Sequence, residues 1–457
     1  MTRPPDERSA DPAPRTPTFR EASRFWIWLG FVNFGGPAGQ IALMHQELVE
    51  RRRWIDEGRY LHALSFCMLL PGPEAMQLAT YVGWLLHRIR GGIVAGVSFV
   101  LPSFFLLLGL SWVYVTHGDL RWIAGAFAGL AAAVVGVIAH ALVRLAGATL
   151  ANALMVAVAI AAFLAIFVID VPFPIVIAVA AGIGIVGGIV RPSLFEVGVG
   201  RRLEEQTAVA VSDAANAPLP TWRRNVVVLV VGLAAWLLPI AAVVWWRGSA
   251  DTVSEMGWFF SKAAVVTFGG AYAVLSYVDR AAVGTYGWLQ PGQMTVGLGL
   301  AESTPGPLIM VLEFVGFVGA YQHPGDLPPI VAGLLGATVT VWATFAPCFL
   351  WVFLGGPYVE RLRGNARLAS ALQTVTAAVV GVIANLAVSF AIVTLFREVR
   401  TVSILGGEIP VPVWSEIDPF AVAVATFAFV GLRFFHWHVV PVILTSALAG
   451  LVVKGLL

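Results

Sequence analysis

The sequence predicts an all-α polytopic membrane protein, built from two inverted-topology repeats with Gly/Pro-broken or re-entrant helices. The first observation is composition. Of 457 residues, 58% are hydrophobic and 12% are charged, whereas a soluble domain has about 25% charged residues. The second observation is a set of uncharged runs close to or above the roughly 20 residues that cross a bilayer. These runs cover residues 91–116, 122–143, 150–169, 171–190, 225–246, 329–354 and 368–396.

The third observation is an internal repeat. The tripeptides FGG at 34–36 and PGP at 71–73 recur at 268–270 and 305–307, in each case 234 positions later. Further along, Pro102 and the run AAVVGVIA both recur after 245 positions. Constant offsets over several landmarks indicate two copies of one membrane unit. Duplicated units of this kind commonly build a transporter site near the bilayer midplane.

The repeat divides the chain into four parts. We expect a disordered cytoplasmic tail at 1–24 and a first transmembrane repeat at 25–190. A cytoplasmic linker with a connecting transmembrane helix follows at 191–255, and the second transmembrane repeat occupies 256–457. The tail is rich in Pro, Arg, Asp and Thr and has no apolar core, so it does not resemble a signal peptide.

The distribution of basic residues predicts the orientation, because cytoplasmic loops are enriched in Lys and Arg. With the tail and the linker in the cytoplasm, helix 91–116 runs outward and its copy at 329–354 runs inward. The C-terminus is then periplasmic. The basic loop at 46–59 would lie outside if segment 25–45 crossed the membrane. This loop therefore favours re-entrant hairpins for segments 25–45 and 60–86.

Several functional classes find no support in the sequence. The net charge is only +2 and the basic residues lie in loops, so nucleic-acid binding is not indicated. Cys67 and Cys348 lie in apolar segments, where buried cysteines behave as small hydrophobic residues. The chain has no phosphate-binding loop, zinc motif or catalytic triad. We therefore expect no enzyme activity, no metal and no cofactor.

The repeated Gly/Pro breaks carry the strongest indication of a site. Pro cannot continue a helical hydrogen-bond ladder, and Gly destabilises one. Broken backbone at membrane depth occurs only where protein or a water-filled cavity satisfies its polar groups. The resulting half-helix N-termini suit an anion. A single break is more often a hinge or a packing notch, but four breaks paired across inverted copies indicate a binding site.

The residues at and near the breaks are the candidate substrate-binding residues. In the first repeat they are Asn33, Phe34, Gly35, Gly36, Pro37, Gln40, Pro71, Gly72, Pro73, Glu74 and Gln77. In the second repeat they are Lys262, Thr267, Gly269, Gly270, Glu302, Ser303, Thr304, Pro305, Gly306 and Pro307.

The ionisable candidates allow two interpretations of equal weight. Lys262 would meet the charge of an anion, or its side chain would snorkel to the membrane surface. Glu74 and Glu302 would exchange protons, or they would cap broken helices. The matching pair His140 and Asn385 is better explained by helix–helix hydrogen bonding.

These motifs together resemble the chromate ion transporter family, in its long-chain, two-domain form, over about residues 25–456. The residues that carry the resemblance are FGGP at 34–37 with Gln40, RRW at 52–54, LPGP at 70–73, FGG at 268–270 and TPGP at 304–307. The resemblance implies efflux of chromate from the bacterial cytoplasm across the inner membrane, with sulfate as a related oxyanion. The second repeat has Ala271 and Val274 in place of Pro37 and Gln40, so the site leans toward the first repeat.

Other functions remain open at this point. A sulfate or other small-anion importer, coupled to protons, fits the same sequence, since chromate and sulfate are both tetrahedral dianions. A membrane-embedded enzyme would need a cofactor-ligand set or an activated nucleophile, and none is visible. Besides its substrate, the chain contacts the lipid bilayer. The sequence leaves its oligomeric state open, with a homodimer as one option.

Overall fold

The computed structural model confirms the all-α class. It describes residues 16–34, 36–191, 221–268, 271–358, 366–404 and 407–456. Within these ranges the chain forms sixteen helices and one two-stranded sheet. Six of these helices are long and apolar enough to cross a membrane. They are Glu74–His117, Arg121–Thr149, Phe173–Val190, Trp222–Arg247, Pro329–Tyr358 and Ala369–Leu395.

The first repeat begins with short helices that are interrupted at both predicted breaks. Its helices are α1 (Phe19–Val32), α2 (Gly36–His45), α3 (Glu57–Cys67), α4 (Glu74–His117), α5 (Arg121–Thr149), α6 (Ala153–Phe167) and α7 (Phe173–Val190). Helix α2 continues into a π-helical turn, Gln46–Arg51. Helix α8 (Trp222–Arg247) leads to the second repeat.

The second repeat follows the same order. Its helices are α9 (Thr252–Val266), α10 (Ala271–Arg280), α11 (Gln293–Ser303), α12 (Val311–Gln322), α13 (Pro329–Gly355), α14 (Ala366–Leu395), α15 (Pro419–Phe434) and α16 (Val439–Gly450). A 3₁₀ turn, Leu308–Met310, precedes α12. Helices α12 and α13 together correspond to the single bent helix α4.

Helices α1 and α2 form a re-entrant hairpin. After α2 the chain returns to the first half of α1, where the Arg52 guanidinium lies 4.8 Å from the Phe25 ring centroid and lines one pocket with the N-cap residue Thr18. The Trp54 ring packs edge-on against the same Phe25 ring at 5.2 Å. Helix α1 has only 14 residues, or about 21 Å at 1.5 Å per residue, which is too short for a full crossing. The basic loop therefore lies on the face where α1 begins, here called the first face.

Helix α3 and the first arm of α4 form a second hairpin from the same face. Helix α4 reverses at His87 and Arg88, whose backbone angles are non-helical. Its two arms then pack closely, since a Cβ on Gly83 would lie 2.5 Å from the Gly91 carbonyl oxygen. The His87 ring lies 3.1 Å from the Pro17 carbonyl oxygen, so the bend is at the first face.

The second repeat reproduces both hairpins. The Trp288 ring, the counterpart of Trp54, packs edge-on against Phe259 of α9 at 5.6 Å. Helices α12 and α13 pack through Gly316 and Gly336, where a Cβ on Gly316 would lie 2.6 Å from the Gly336 carbonyl oxygen. The prediction of re-entrant, broken helices in both copies is therefore confirmed.

The two repeats have opposite orientations. Along the second arm of α4, Gly92 packs against Phe353, and Gly96 packs against Phe349 one turn earlier on α13. The two helices are therefore antiparallel, as the inverted-repeat prediction requires. Helix α8 links the faces, since Arg224 donates a hydrogen bond to the Phe353 carbonyl oxygen at 3.1 Å. At its other end α8 carries Arg247, which lies near Asp326 on the second face (Nη2–Oδ1 2.6 Å).

Helices of each repeat also pack against helices of the other repeat. The run AAVVGVIA lies in α5 and again in α14, and its glycine is the contact point in both. A Cβ on Gly136 would lie 2.8 Å from the Ala428 Cβ of α15, in the other repeat. A Cβ on Gly381 would lie 2.8 Å from the Phe163 backbone nitrogen of α6. Small residues let helices approach closely in membranes, so each repeat completes the packing of the other.

Of the matching residues His140 and Asn385, only Asn385 forms the expected helix–helix hydrogen bond in the described structure. The Asn385 side chain of α14 donates to the Ser276 hydroxyl of α10 at 2.8 Å. The His140 Nδ1 is buried and has no hydrogen-bond partner within the described ranges. The two halves thus share a backbone but differ in their polar contacts.

A small β-hairpin was not predicted. Strands β1 (Val399–Ile404) and β2 (Gly407–Pro412) pair antiparallel between α14 and α15. The segment has no counterpart between α5 and α6, where only Leu150–Asn152 separates the helices. This insertion explains why the constant offset ends after α14.

Labelling with a membrane-impermeant maleimide tests the inverted orientation. We expect Asp119→Cys and His323→Cys to react in intact cells, because both positions lie on the second face and are exposed. Arg90→Cys, exposed on the first face, is expected to react only after permeabilisation. Reaction of only one of the first two variants in intact cells would contradict the inversion. Reaction of Arg90→Cys alone would mean that the whole protein is turned over.

Candidate functional site

The breaks of the two repeats meet in the structure. The Gly72 N–H donates to the Thr267 carbonyl oxygen at 2.8 Å, and the Gly306 N–H donates to the Asn33 carbonyl oxygen at 3.3 Å. Gly72 and Gly306 are repeat counterparts, and so are Asn33 and Thr267. The two hydrogen bonds are therefore related by the pseudo-two-fold symmetry of the repeats. We call these four residues the junction.

The PGP sequence explains the local backbone. Gly72 has φ of +125° and Gly306 has φ of +118°, a region that side-chain-bearing residues rarely adopt. Pro73 and Pro307 occupy the N-cap positions of the following helical segments, and neither segment has a side-chain cap. Because these prolines have no N–H and no capping oxygen, the N-termini of the half-helices rely on other groups.

Each PGP segment packs against the long helix of the other repeat. A Cβ on Gly72 would lie 2.8 Å from the Cys348 Sγ of α13. A Cβ on Gly306 would lie 2.8 Å from the Ser103 Oγ of α4. Ser103 and Cys348 directly follow the repeated prolines Pro102 and Pro347. At Gly72 and Gly306, glycine is therefore required by close packing as well as by backbone conformation.

Polar atoms without hydrogen-bond partners collect around the junction. The Asn33 side chain is fully buried, and both its amide atoms lack a partner among the described residues. The same holds for the Ser103 hydroxyl, the Gln40 Oε1 and the Gln77 Oε1. A buried unsatisfied polar group costs about 1–3 kcal/mol. Two of these groups, the Asn33 Nδ2 and the Ser103 hydroxyl, can donate to an oxyanion.

Gln40 holds the first break in place. Its Nε2 donates to the Asn33 carbonyl oxygen at 2.9 Å and to the Gly306 carbonyl oxygen at 2.5 Å. The second repeat has Val274 at this position, which is fully buried and cannot form such a bridge. Gln77 plays a related part at the other break, where its Nε2 donates to the Pro71 carbonyl oxygen at 2.7 Å.

Gly36 differs from the crowded glycines of the PGP segments. It begins α2 with φ of +67°, and a Cβ built there would meet nothing within 4 Å. Open space therefore lies beside the N-terminal end of α2, where backbone N–H groups and the helix dipole favour negative charge. Gly35, Gly269 and Gly270 were predicted with it and lie outside the described residues.

The two predicted carboxylates occupy different environments. Glu302, at the end of α11, is 5% exposed and accepts a hydrogen bond from the Tyr272 hydroxyl of α10. This contact joins the two hairpins of the second repeat beside their breaks. Glu74 is half-buried in the first turn of α4, where the helix dipole stabilises negative charge.

Other predicted residues mainly satisfy the backbone. The hydroxyls of Ser303 and Thr304 donate to the Leu300 and Ala301 carbonyl oxygens of their own helix. The Thr267 hydroxyl donates to the Ala263 carbonyl oxygen at 2.6 Å. These three hydroxyls therefore satisfy carbonyl groups near the ends of α9 and α11.

The remaining break residues differ in burial. Pro73, Pro305 and Pro307 are buried, while Pro37 and Pro71 are half-buried. Phe34 is 38% exposed, which leaves its ring at the surface of the bundle.

The structure does not bring Lys262 to the junction. Its side chain is exposed, on the same face of α9 as the exposed residues Trp258 and Val265. The buried face of α9 carries Phe259 and Ala263 instead. Lys262 has no ion pair within the described ranges, and the snorkelling interpretation fits this position.

Sequence reasoning missed three residues at the site: Ser103, Cys348 and Tyr272. The first two follow prolines that recur at the constant offset, which was a usable signal. Tyr272 has Ala38 as its counterpart, so no repeat signal marks it. Cys67 and Cys348 are free and buried, and no cluster of three metal-ligating side chains occurs in the part of the chain that the structure describes.

Comparison with known proteins agrees with this architecture. Residues 20–185 and 254–451 match the family described as Chromate transporter. The chain is 31% identical over 382 residues to the Chromate transport protein of Cupriavidus metallidurans, covering 83% of this chain and 85% of that protein. It is 30% identical over 440 residues to the Chromate transport protein of Pseudomonas aeruginosa, covering 93% and 90%. No solved structure matches the chain.

Each of the two matched segments contains one FGG break and one PGP break, so the family match covers the whole junction. The relatives are named transport proteins, and the long apolar helices make this chain a multi-pass membrane protein. The chain therefore belongs to the chromate transporter family.

Proposed function

We propose that this protein exports chromate from the cytoplasm across the bacterial inner membrane and binds the anion at the junction. The observation that carries the proposal is the pair of crossed backbone hydrogen bonds, surrounded by buried donors, in a chain similar to chromate transport proteins. In this proposal the first face is cytoplasmic. Arg52, Arg88 and Arg90 lie on that face, in agreement with the positive-inside rule.

The chemistry of the junction suits a tetrahedral oxyanion. The Asn33 amide and the Ser103 hydroxyl supply neutral donors, and the N-terminal end of α2 supplies backbone N–H groups beside open space. Neutral donors bind an anion without holding it permanently, which a transporter needs in order to release its substrate. Lys262 has no part in this site.

Membrane potential supplies enough energy for export. Moving one charge through 100 mV is worth about 2.3 kcal/mol, so a dianion that leaves an inside-negative cell gains roughly 4.6 kcal/mol per 100 mV. This corresponds to a concentration ratio on the order of three decades. If protons move together with the anion, the pH gradient would also contribute to the free energy of export. The alternative is proton-coupled uptake of sulfate, which would need a carboxylate such as Glu302.

Gly36→Ala tests the open space beside the first break. We expect chromate transport to fall on the order of tenfold to a hundredfold, because the methyl group displaces the anion from its position near the N–H groups. Gly287→Ala is the matched control, since Gly287 has φ of +65° and equally open surroundings but lies outside the breaks. Both variants carry the same backbone strain. Equal transport by the two, measured in vesicles at matched protein levels, would remove Gly36 from the site.

Ser103→Ala tests a donor that packs against Gly306. A hydrogen bond to a charged group is worth about 1.5–3 kcal/mol, so we expect the Kd for chromate to rise roughly tenfold to a hundredfold. Ser111→Ala is the control, because Ser111 lies on the same helix, is fully buried and also has an unpartnered hydroxyl within the described residues. Direct binding to the purified protein measures both. An unchanged Kd for Ser103→Ala would exclude this hydroxyl as a ligand.

Transport in vesicles tests the driving force. We expect chromate efflux to follow an imposed inside-negative potential without a pH gradient, and to persist in Glu74→Gln and Glu302→Gln. Lys262→Ala is expected to leave the apparent affinity unchanged, since the side chain is exposed away from the junction. Labelled sulfate is assayed in parallel. Efflux that required a pH gradient and disappeared in either Gln variant would replace this proposal with obligatory proton coupling.

A further inference from the structure

Glu313 is a buried carboxylate that the transport scheme above does not use. It lies in the first turn of α12, is 0% exposed, and neither carboxylate oxygen has a hydrogen-bond partner among the described residues. It follows Pro307 of the break by six positions in the sequence, or about 9 Å along a helix. Ionisable side chains inside the membrane are functional candidates by default.

Hydroxyl and thiol side chains follow one another along α13, from the level of Glu313 to the junction. Gly316, one turn after Glu313, packs against the Thr340 side chain of α13. Because the two helices are antiparallel, Glu313 lies level with Thr344, whose hydroxyl donates to the Thr340 carbonyl oxygen at 2.8 Å. One further turn along α13 is Cys348, which packs against Gly72 of the junction.

No charged neighbour compensates Glu313. Helix α13 carries no Asp, Glu, Lys, Arg or His between residues 329 and 355, and Cys348 is its one titratable group. The charged or titratable side chains on the other helices packed against α12 are Glu74, Tyr81, His87, Arg88, Arg90, Tyr114 and His117 on α4, Glu255 and Lys262 on α9, and Glu302 on α11. None of them forms an ion pair or a hydrogen bond with Glu313 in the described structure. An unpaired carboxylate so deeply buried is far more stable when it holds a proton.

The fold itself does not require a carboxylate here. Gly83 and Gly316 make the same inter-arm contact, and Thr80 and Glu313 each precede their glycine by three positions. This contact aligns Glu313 with Thr80, one position away from the offset of 234 at the PGP breaks, which would give Ala79. Thr80 occupies its site with a local hydrogen bond to the Met76 carbonyl oxygen at 2.9 Å. A threonine therefore satisfies this position in the first repeat, whereas Glu313 leaves two buried oxygens unsatisfied in the second.

We propose that Glu313 is a proton-binding site whose occupancy is linked to occupancy of the junction by the dianion. This inference rests on the proposed function. A neutral Glu313 tolerates a dianion at the nearby junction, whereas an ionised Glu313 repels it through a low-dielectric interior. Proton and anion therefore bind cooperatively, and by linkage each raises the affinity for the other equally. One proton carried with the dianion leaves a net charge of −1, which the potential still drives outward.

Chromate binding to the purified full-length protein tests this linkage. Measurements run from near-neutral to alkaline pH, where chromate is mainly the dianion, and each Kd is calculated for the dianion concentration. We expect the wild-type Kd to weaken by up to about tenfold per pH unit once Glu313 ionises. Glu313→Gln is expected to show no such dependence and to keep the tight wild-type Kd of the neutral end. Glu416→Gln, which removes an exposed carboxylate in the loop before α15, is the control and is expected to keep the wild-type dependence.

A second variant and a second kind of measurement test the same linkage. Glu313→Thr copies the residue of the first repeat and is used if the Gln variant folds poorly, with the same expectation. Wild-type protein in weak buffer is expected to take up about one proton per chromate bound at alkaline pH. A pH-independent wild-type Kd, absence of proton uptake, or unchanged pH dependence in the Glu313 variants would each overturn the inference. Absence of chromate binding at every pH would instead overturn the proposed function.

Discussion

Two crossed backbone hydrogen bonds are the constraint on which the rest of the structure depends. Broken helices at membrane depth expose N–H and carbonyl groups that lipid cannot satisfy. Here the Gly72 N–H is satisfied by Thr267, and the Gly306 N–H by Asn33. Because each bond joins the PGP break of one repeat to the FGG break of the other, each repeat depends on the other to satisfy its PGP glycine N–H. The packing of helices of one repeat against helices of the other holds this arrangement together.

The polar side chains do not follow the symmetry of the backbone. Gln40 bridges the first break, while its counterpart Val274 is apolar. The buried carboxylates Glu302 and Glu313 have no acidic counterparts in the first repeat, where Met68 and Thr80 stand in their places. In the proposed scheme the first repeat, through α1 and α4, provides neutral donors for an anion, and the second repeat provides carboxylates that hold protons. A symmetric scaffold with unequal side chains can therefore carry two different binding sites.

Much of the architecture was predictable because it depends on repeated letters and on long apolar runs. The offsets identified the copies, Gly and Pro identified the breaks, and the basic loop identified the re-entrant hairpins. The sequence did not indicate which breaks meet, since that depends on packing between distant helices. The sequence also did not show which way the Lys262 side chain points. Apolar residues occupy both the exposed and the buried side of α9, so hydrophobicity alone does not distinguish the two sides. The β-hairpin was missed because it is an insertion without a copy.

The inverted repeats also bear on how access to the junction changes sides. The two crossed hydrogen bonds are unequal, at 2.8 Å and 3.3 Å, although their residues are repeat counterparts. A conformation in which each repeat adopted the shape of the other would interchange these two bonds, and both glycine N–H groups would remain satisfied across the repeats. Inverted repeats commonly achieve alternating access in this way, and the paired glycines at 72 and 306 supply the backbone freedom that it needs.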